Sequence, residues 1–337
     1  MIYPNSIDKN KLIGVTAASD GIIKKEKLFR LDSAINNLEK EGYRVIETEN
    51  VRKSNLGRSA KAKERAKELL SLYLNKDVAA IYFPTGGDFL IEILPYIDNE
   101  IIKQNVKWTV GYSDPTSLLY MITTKLDIAT IYADNFCTYG MKNFKKYLQN
   151  NLNILEGKNV TQYSFEKYEG THTEYIGGDE EYVLDKDVYW KNLFSEKKID
   201  VSGRIIGGCL DCLDSILGTP YDGGKEFIEK YKDDGIIWYF DNCELTCEQV
   251  VRALNKFKMM GYFKDTKAII FGRTMTNVSS YGIDFKDALI TSLEDLNIPV
   301  IYDADIGHVG PQMCIINGAI ANIFCENGKG KITFDLK

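Results

Sequence analysis

The sequence predicts an α/β fold: a mostly parallel sheet with helices on both faces, joined to a second domain. Three observations carry this. Over roughly the first 150 of the 337 residues, short apolar runs alternate with amphipathic helical stretches. The runs are nearly continuous in apolar character, as expected of strands buried on both faces. Finally, 337 residues is long for one core, so a second domain is expected.

The elements follow in order. Residues 11–16 read as a buried strand running into Ala17-Ala18-Ser19-Asp20-Gly21. Leu28, Leu31, Ile35 and Leu38 recur at helical spacing, and Gly42 supplies a stop. Residues 43–48 are the next strand, 59–74 a Lys/Glu/Leu/Ala helix, and 78–83 a strand ending in Pro84-Thr85-Gly86-Gly87-Asp88. A helix is predicted over 89–102, with Pro95 inside it or at a break, and a strand over 106–110. Residues 150–200 are polar, tyrosine-rich and weakly periodic, and read as a linker. Beyond it, strands are expected at 203–208, 235–240, 268–271 and 300–302, with helices at 209–217 and 249–260. Residues 315–324 and 331–334, joined by Glu326-Asn327-Gly328, read as a terminal hairpin. The expected division is 1–160 as the first domain, 161–200 as linker and substrate-contacting segment, and 201–337 as the second domain.

Composition excludes some functions. The net charge of -6 argues against a nucleic-acid polymer or an anionic membrane as main partner. No run of about 18 apolar residues is present, so no membrane span is expected. The first ten residues lack the apolar stretch of a signal peptide. The seven cysteines are therefore read as reduced thiols of a cytoplasmic protein.

The richest stretch is Trp108-Thr109-Val110-Gly111-Tyr112-Ser113-Asp114-Pro115, followed at once by a helix-ready segment to Leu126. A sharp strand-to-helix turn lifts a serine hydroxyl clear of the backbone and points the following N–H groups at the same place. A serine needs a base to become a nucleophile, and that base needs an acid to fix its tautomer. The chain has two histidines. His308, in Asp305-Ile306-Gly307-His308, is the one in a Gly-flanked loop after a strand. Asp241 directly follows an apolar strand and suits the acid, and Glu244, three residues on, competes for the role. The competing reading of each is plain: an N-cap serine, a loop histidine, a turn carboxylate. Cys209-x-x-Cys212 and Cys243-x-x-x-Cys247 could supply four thiolates to zinc, but the first pair falls in a predicted helix, so inert thiols are expected. Thr85-Gly86-Gly87-Asp88 lacks the Lys-Ser/Thr of a phosphate loop.

Several motifs together resemble the LD-carboxypeptidase and microcin C self-immunity family of serine peptidases. They are the strand and Gly-x-Ser-Asp at 106–114, Gly86-Gly87, and Arg204-Ile205-Ile206-Gly207-Gly208-Cys209-Leu210 with Leu217-Gly218-Thr219-Pro220-Tyr221. The acidic strand end at 235–244, Ile269-Ile270-Phe271-Gly272-Arg273 and Asp305-Ile306-Gly307-His308 complete the set. They cover nearly the whole chain in the family's order. The resemblance implies a flavodoxin-like N-terminal domain, a swivelling β-rich C-terminal domain, an active site between them, and a homodimer. It places the nucleophile on Ser113, the base on His308 and the acid on Asp241. It places the oxyanion hole on the N–H groups of Asp114 and the Gly86-Gly87 turn, and implies no metal or cofactor. The implied activity is that of a serine carboxypeptidase on a small peptide or a peptidyl- or aminoacyl-nucleotide conjugate. Cleavage of the terminal D-residue of a murein tetrapeptide is the alternative, and an inactive binding homologue a third. Three departures bear on this. The acid is Asp where the family ordinarily has Glu, so the histidine must come about 1.5 Å closer or Glu244 must substitute. Thr85 stands where the murein-recycling branch has Arg. Trp190 stands near the place of a tryptophan that stacks on nucleotide in the microcin branch, and is a candidate substrate contact.

Overall fold

The computed structural model describes residues 1–171, 173–174, 176–195 and 197–336. In the first half the strands are β1 (Leu12–Val15), β2 (Arg44–Glu47), β3 (Val78–Tyr82), β4 (Trp108–Gly111) and β5 (Thr130–Tyr132). They pair in parallel in the order β2-β1-β3-β4-β5, the flavodoxin-like arrangement. Helices α1 (Lys25–Lys40), α2 (Ala62–Leu74), α3 (Asn99–Gln104), α4 (Thr116–Leu126) and α5 (Lys146–Leu155) flank the sheet. α1 buries Leu31, Ala34 and Leu38, one stripe at helical spacing. α4 is different: only Lys125 escapes burial. It packs on β4 and β5 on one side and on the second half of the chain on the other. A helix wedged between two layers has no solvent face, which is why its polar residues, Lys125 apart, are small buried hydroxyls.

Four short strands, β6 (Gln162–Tyr163), β7 (Lys167–Glu169), β8 (Leu184–Asp187) and β9 (Lys191–Asn192), occupy the polar stretch. The second half holds β10 (Ile199–Cys209), α6 (Leu210–Ile216), α7 (Gly224–Tyr231), β11 (Ile236–Asp241), α8 (Cys247–Met259), β12 (Thr266–Gly272), α9 (Phe285–Leu293), β13 (Val300–Ala304), β14 (Ile315–Asn317), β15 (Ile320–Glu326) and β16 (Lys329–Asp335). Eight strands form the second sheet in the order β6-β16-β15-β10-β11-β12-β13-β9, parallel from β10 to β13 and antiparallel outside. The "linker" thus supplies both edges of this sheet.

Some expectations are corrected. The helix expected from residue 59 begins at Ala62, because Ser59 is held in extended chain by its N–H to Ser19 O (3.0 Å) and its hydroxyl to Ala17 O (2.6 Å). The helix expected over 89–102 is two pieces: a 3-10 turn at Leu90–Tyr96 containing Pro95, then α3, capped by the Asp98 side chain. The expected strand 315–324 splits at Gly318, whose φ is +85°. Its first part, β14, leaves the hairpin and pairs antiparallel with β5, extending the first sheet.

Candidate active site

The carboxyl ends of β1, β3 and β4 open on the face where α4 starts. Ser113 follows β4 with φ +69°, a left-handed conformation rare for a residue with a side chain. The turn is held on both sides. Asn135, just beyond β5, accepts from Tyr112 N (3.2 Å) and donates to Tyr112 O (3.3 Å), while Ser113 O accepts from Thr116 N (2.9 Å). Gly86 faces the serine so closely that a Cβ there would lie 2.9 Å from Ser113 Oγ. Gly87, at φ +144°, backs onto Ser19. Among the described residues no acceptor takes the N–H of Gly87 or Asp114. The Asp114 side chain points away and accepts from Leu90 N (2.8 Å). Burial raises its pKa, against the opposing pull of its bonds from Ser19 and Leu90.

The second half brings the other groups. Asp241 ends β11, fully buried, and His308 sits in the loop after β13. His308 Nε2 lies 2.9 Å from Ser113 Oγ, and Nδ1 lies 2.5 Å from Asp241 Oδ2. The other carboxylate oxygen accepts from His308 N (3.2 Å), and the Tyr132 hydroxyl donates to Oδ2 (2.8 Å). Burial pushes the imidazole pKa down, but the charge and hydrogen bond of Asp241 outweigh it, and the net shift is well upward. The short acid reaches because the loop comes to it: Gly307 has φ +91°, and a Cβ there would fall 1.9 Å from Asp241 Oδ1. Glu244, the competing acid, is exposed at the rim; its N–H donates to Asp211 Oδ1 (2.8 Å), and its carboxylate has no bond to His308. The geometry therefore gives the imidazole to Asp241.

Ser113, His308, Thr85, Gly86, Gly87, Asp211 and Glu244 line one cleft of about 360 Å³, with Lys27 and Arg30 of α1 also on its wall. Trp190 does not belong to it, and its expected substrate contact is corrected. It is 1% exposed, its indole N–H donates to Asp305 Oδ2 (2.9 Å), and its ring lies under Gly330 of β16, where a Cβ would come within 2.2 Å. Nor do the two cysteine pairs meet as four thiols. Cys209, Cys212 and Cys243 line the cleft, whereas Cys247 faces Asn277.

Sequence reasoning missed three supports. Tyr132 and Asn135 carried no motif beyond their place at a strand end. Arg273 sat within a quoted motif without a role. It pairs with Asp305 (2.5 Å) and donates to Val309 O (2.9 Å) and Pro311 O (3.0 Å), bracing the His308 loop from both sides.

A serine raised on a strand-to-helix turn of one α/β layer, facing an imidazole and a carboxylate from another, is an arrangement that serine hydrolases use. The sequence comparisons narrow it: the LD-carboxypeptidase N-terminal domain matches residues 13–133 and the LD-carboxypeptidase C-terminal domain residues 202–323. The chain belongs to the LD-carboxypeptidase family of serine peptidases. It is 26% identical over 327 residues to the microcin C7 self-immunity protein MccF of Escherichia coli, covering 94% of this chain and 91% of that one. It is 27% identical over 346 residues to the putative carboxypeptidase YocD of Bacillus subtilis, covering 99% of both. The fold superposes on an MccF-like protein from Bacillus anthracis with TM-score 0.85, at 24% identity and full coverage of both chains. MccF in complex with glutamyl sulfamoyl guanosine superposes with TM-score 0.83, at 22% identity, covering 100% of this chain and 99% of that one. For the muramoyltetrapeptide carboxypeptidase of Oxalobacter formigenes the TM-score is 0.74, at 19% identity, with 96% and 99% covered.

Proposed function

We propose that the protein is a serine carboxypeptidase working through Ser113, His308 and Asp241 on a small peptide or an aminoacyl- or peptidyl-nucleotide conjugate. The observation that carries the reading is the unbroken hydrogen-bonded chain from the Ser113 hydroxyl through His308 to buried Asp241, at the wall of an open cleft. Ser113 Oγ attacks the carbonyl as His308 Nε2 takes its proton. Asp241 holds Nδ1–H and stabilises the imidazolium. The N–H groups of Gly87 and Asp114 receive the oxyanion, each worth roughly 3–4 kcal/mol where such donors have been removed. His308 then returns the proton to the leaving amine, and water repeats the sequence on the acyl-enzyme.

The cleft volume suits a small molecule rather than a folded protein. Lys27 comes to it from the first half and exposed Glu244 from the second, so it offers both signs of charge to a substrate with a free amine and an acid. Thr85 in place of arginine, and the E. coli relative named for microcin immunity, favour the nucleotide conjugate. The muramoyltetrapeptide carboxypeptidase of the same fold favours the murein alternative. We place the protein in the cytoplasm from its cysteine usage, and as a homodimer in keeping with the family resemblance; among the described residues no helix is long and apolar enough to cross a membrane. Purified protein is incubated separately with an aminoacyl sulfamoyl nucleoside and with a murein tetrapeptide, and the products are weighed by mass spectrometry. Release of the amino acid from the nucleoside is expected. Release of only the terminal D-residue from the tetrapeptide would transfer the assignment to murein, and binding without cleavage of either would make the protein an inactive homologue.

A further inference from the structure

Three thiols stand around the imidazole that faces Ser113, and the reaction above uses none of them. Cys209 ends β10 and is the lateral neighbour of Asp241 in β11. The Cys209 sulfur, a carboxylate oxygen of Asp241 and a ring nitrogen of His308 all lie within 4.8 Å of one another. Cys212, in the first turn of α6, lines the cleft with Cys209, its sulfur 3.5 Å from the Ser113 carbonyl oxygen. Cys243 lines the same cleft as the imidazole. None of the three is in a disulfide. Around tetrahedral zinc, with bonds of about 2.0–2.3 Å, neighbouring donors stand roughly 3.3–3.8 Å apart. The cluster therefore needs shifts of at most about 1.5 Å, the thiol moving in and the 2.5 Å contact of Asp241 with His308 opening, which side-chain rotation supplies. Thiolate, imidazole and carboxylate together are the donor set of a soft to borderline divalent cation.

We propose that the cleft contains an inhibitory site for a divalent cation of the zinc class, held by Cys209, His308 and Asp241 with Cys212 as fourth donor. The two thiols give up their protons to solvent as the metal–sulfur bonds form. No electron is transferred. With Asp241 as a ligand the ion enters at Nδ1: the 2.5 Å contact with Asp241 opens to admit it, and the ring proton moves to Nε2, where no lone pair is then left to take the Ser113 proton, so catalysis stops. Metal binding stands on the cluster geometry alone. Inhibition rests additionally on the peptidase reading.

The test uses the reduced full chain, titrated with Cd2+ and Zn2+. The ultraviolet thiolate-to-cadmium band and competition with a chromophoric chelator report binding, and hydrolysis is followed separately. Expected results are one ion per chain, a thiolate band, protection of Cys209 and Cys212 from alkylation, and turnover that is lost on loading and restored by chelator. Cys209→Ser and Cys212→Ser should each weaken binding roughly 100-fold, while Cys247→Ser, outside the cleft, leaves it unchanged. Should a serine variant fail to fold, alkylation mapping on the unsubstituted chain decides. Absence of the thiolate band, or unchanged alkylation of Cys209 and Cys212, overturns the site. Full turnover in the loaded protein overturns the inhibition. No turnover in any state would count against the peptidase reading, while the cadmium band still decides the site.

Discussion

Ser113 holds an uncommon backbone conformation, and glycine is required across from it. Replacing Ser113 with Ala should lower kcat by roughly 10⁴- to 10⁶-fold while the melting temperature stays close to that of the unsubstituted chain, since only the Oγ is removed. Gly86→Ala tests positioning rather than chemistry. Its Cβ would arrive 2.9 Å from the hydroxyl and displace it. A loss of about 100-fold in kcat with the fold retained is expected, and unaltered kcat would show that the serine has no fixed place. The His308 pKa is raised by Asp241 against the effect of burial, and a protonated imidazole cannot accept the serine proton. Activity should therefore fall as pH drops, with the acid limb above the ordinary histidine value near 6.5. Asp241→Asn should move that limb to lower pH and reduce the plateau on the order of 10³- to 10⁴-fold. A limb that stays in place would put the supporting charge elsewhere. These residues were legible in the sequence because strand-end turns rich in glycine announce themselves locally. Trp190 was not, because its environment is set by Gly330, 140 positions later, and no local pattern encodes a covering strand.

At the level of elements, β5 and its continuation do more than carry the sheet. Tyr132, at the end of β5, bonds Asp241; Asp134 follows, 1% exposed, and Asn135 secures the serine turn. Burial pushes the Asp134 carboxyl up to about 7, against its bond from Asn151. In the unfolded chain the same group ionises near 4. Folding therefore takes up a proton between those values, so this residue's contribution to stability falls as pH rises from about 4 to 7. Asp134→Asn should flatten that slope and add on the order of 3 kcal/mol at pH 8 relative to the unsubstituted chain; urea unfolding at pH 5 and pH 8 measures it. An equal slope in both would assign the proton to another group. Strands of the first half were legible as apolar runs. The break at Gly318 was not, since residues 315–324 are apolar on both sides of it, and which sheet each part joins is decided by tertiary pairing.

On the scale of the molecule, two sheets meet across α4, and the candidate site exists only where they meet. Arg204 of β10 is one fastening. It donates to Gly318 O (2.7 Å) and Tyr3 Oη (3.1 Å), pairs with Asp234 (2.5 Å) and stacks on Tyr231. Arg204→Met should cost roughly 1–3 kcal/mol of unfolding free energy, and activity should fall at temperatures where the unsubstituted chain is still fully active. The α/β class and the parallel sheet of the first half were readable from alternation. The joining of the halves was not, because β14 and the strands between residues 162 and 192 are too short to show a period.

The central claim is that a hydroxyl from the first half becomes a nucleophile only when an imidazole from the second half serves it. Labelling with a fluorophosphonate probe, read by intact mass and peptide mapping, tests this most directly. One adduct per chain on Ser113, abolished in Ser113→Ala and reduced by orders of magnitude in His308→Ala, is the predicted result. Labelling of Ser113 at an undiminished rate in His308→Ala, or an adduct on another serine, would contradict it.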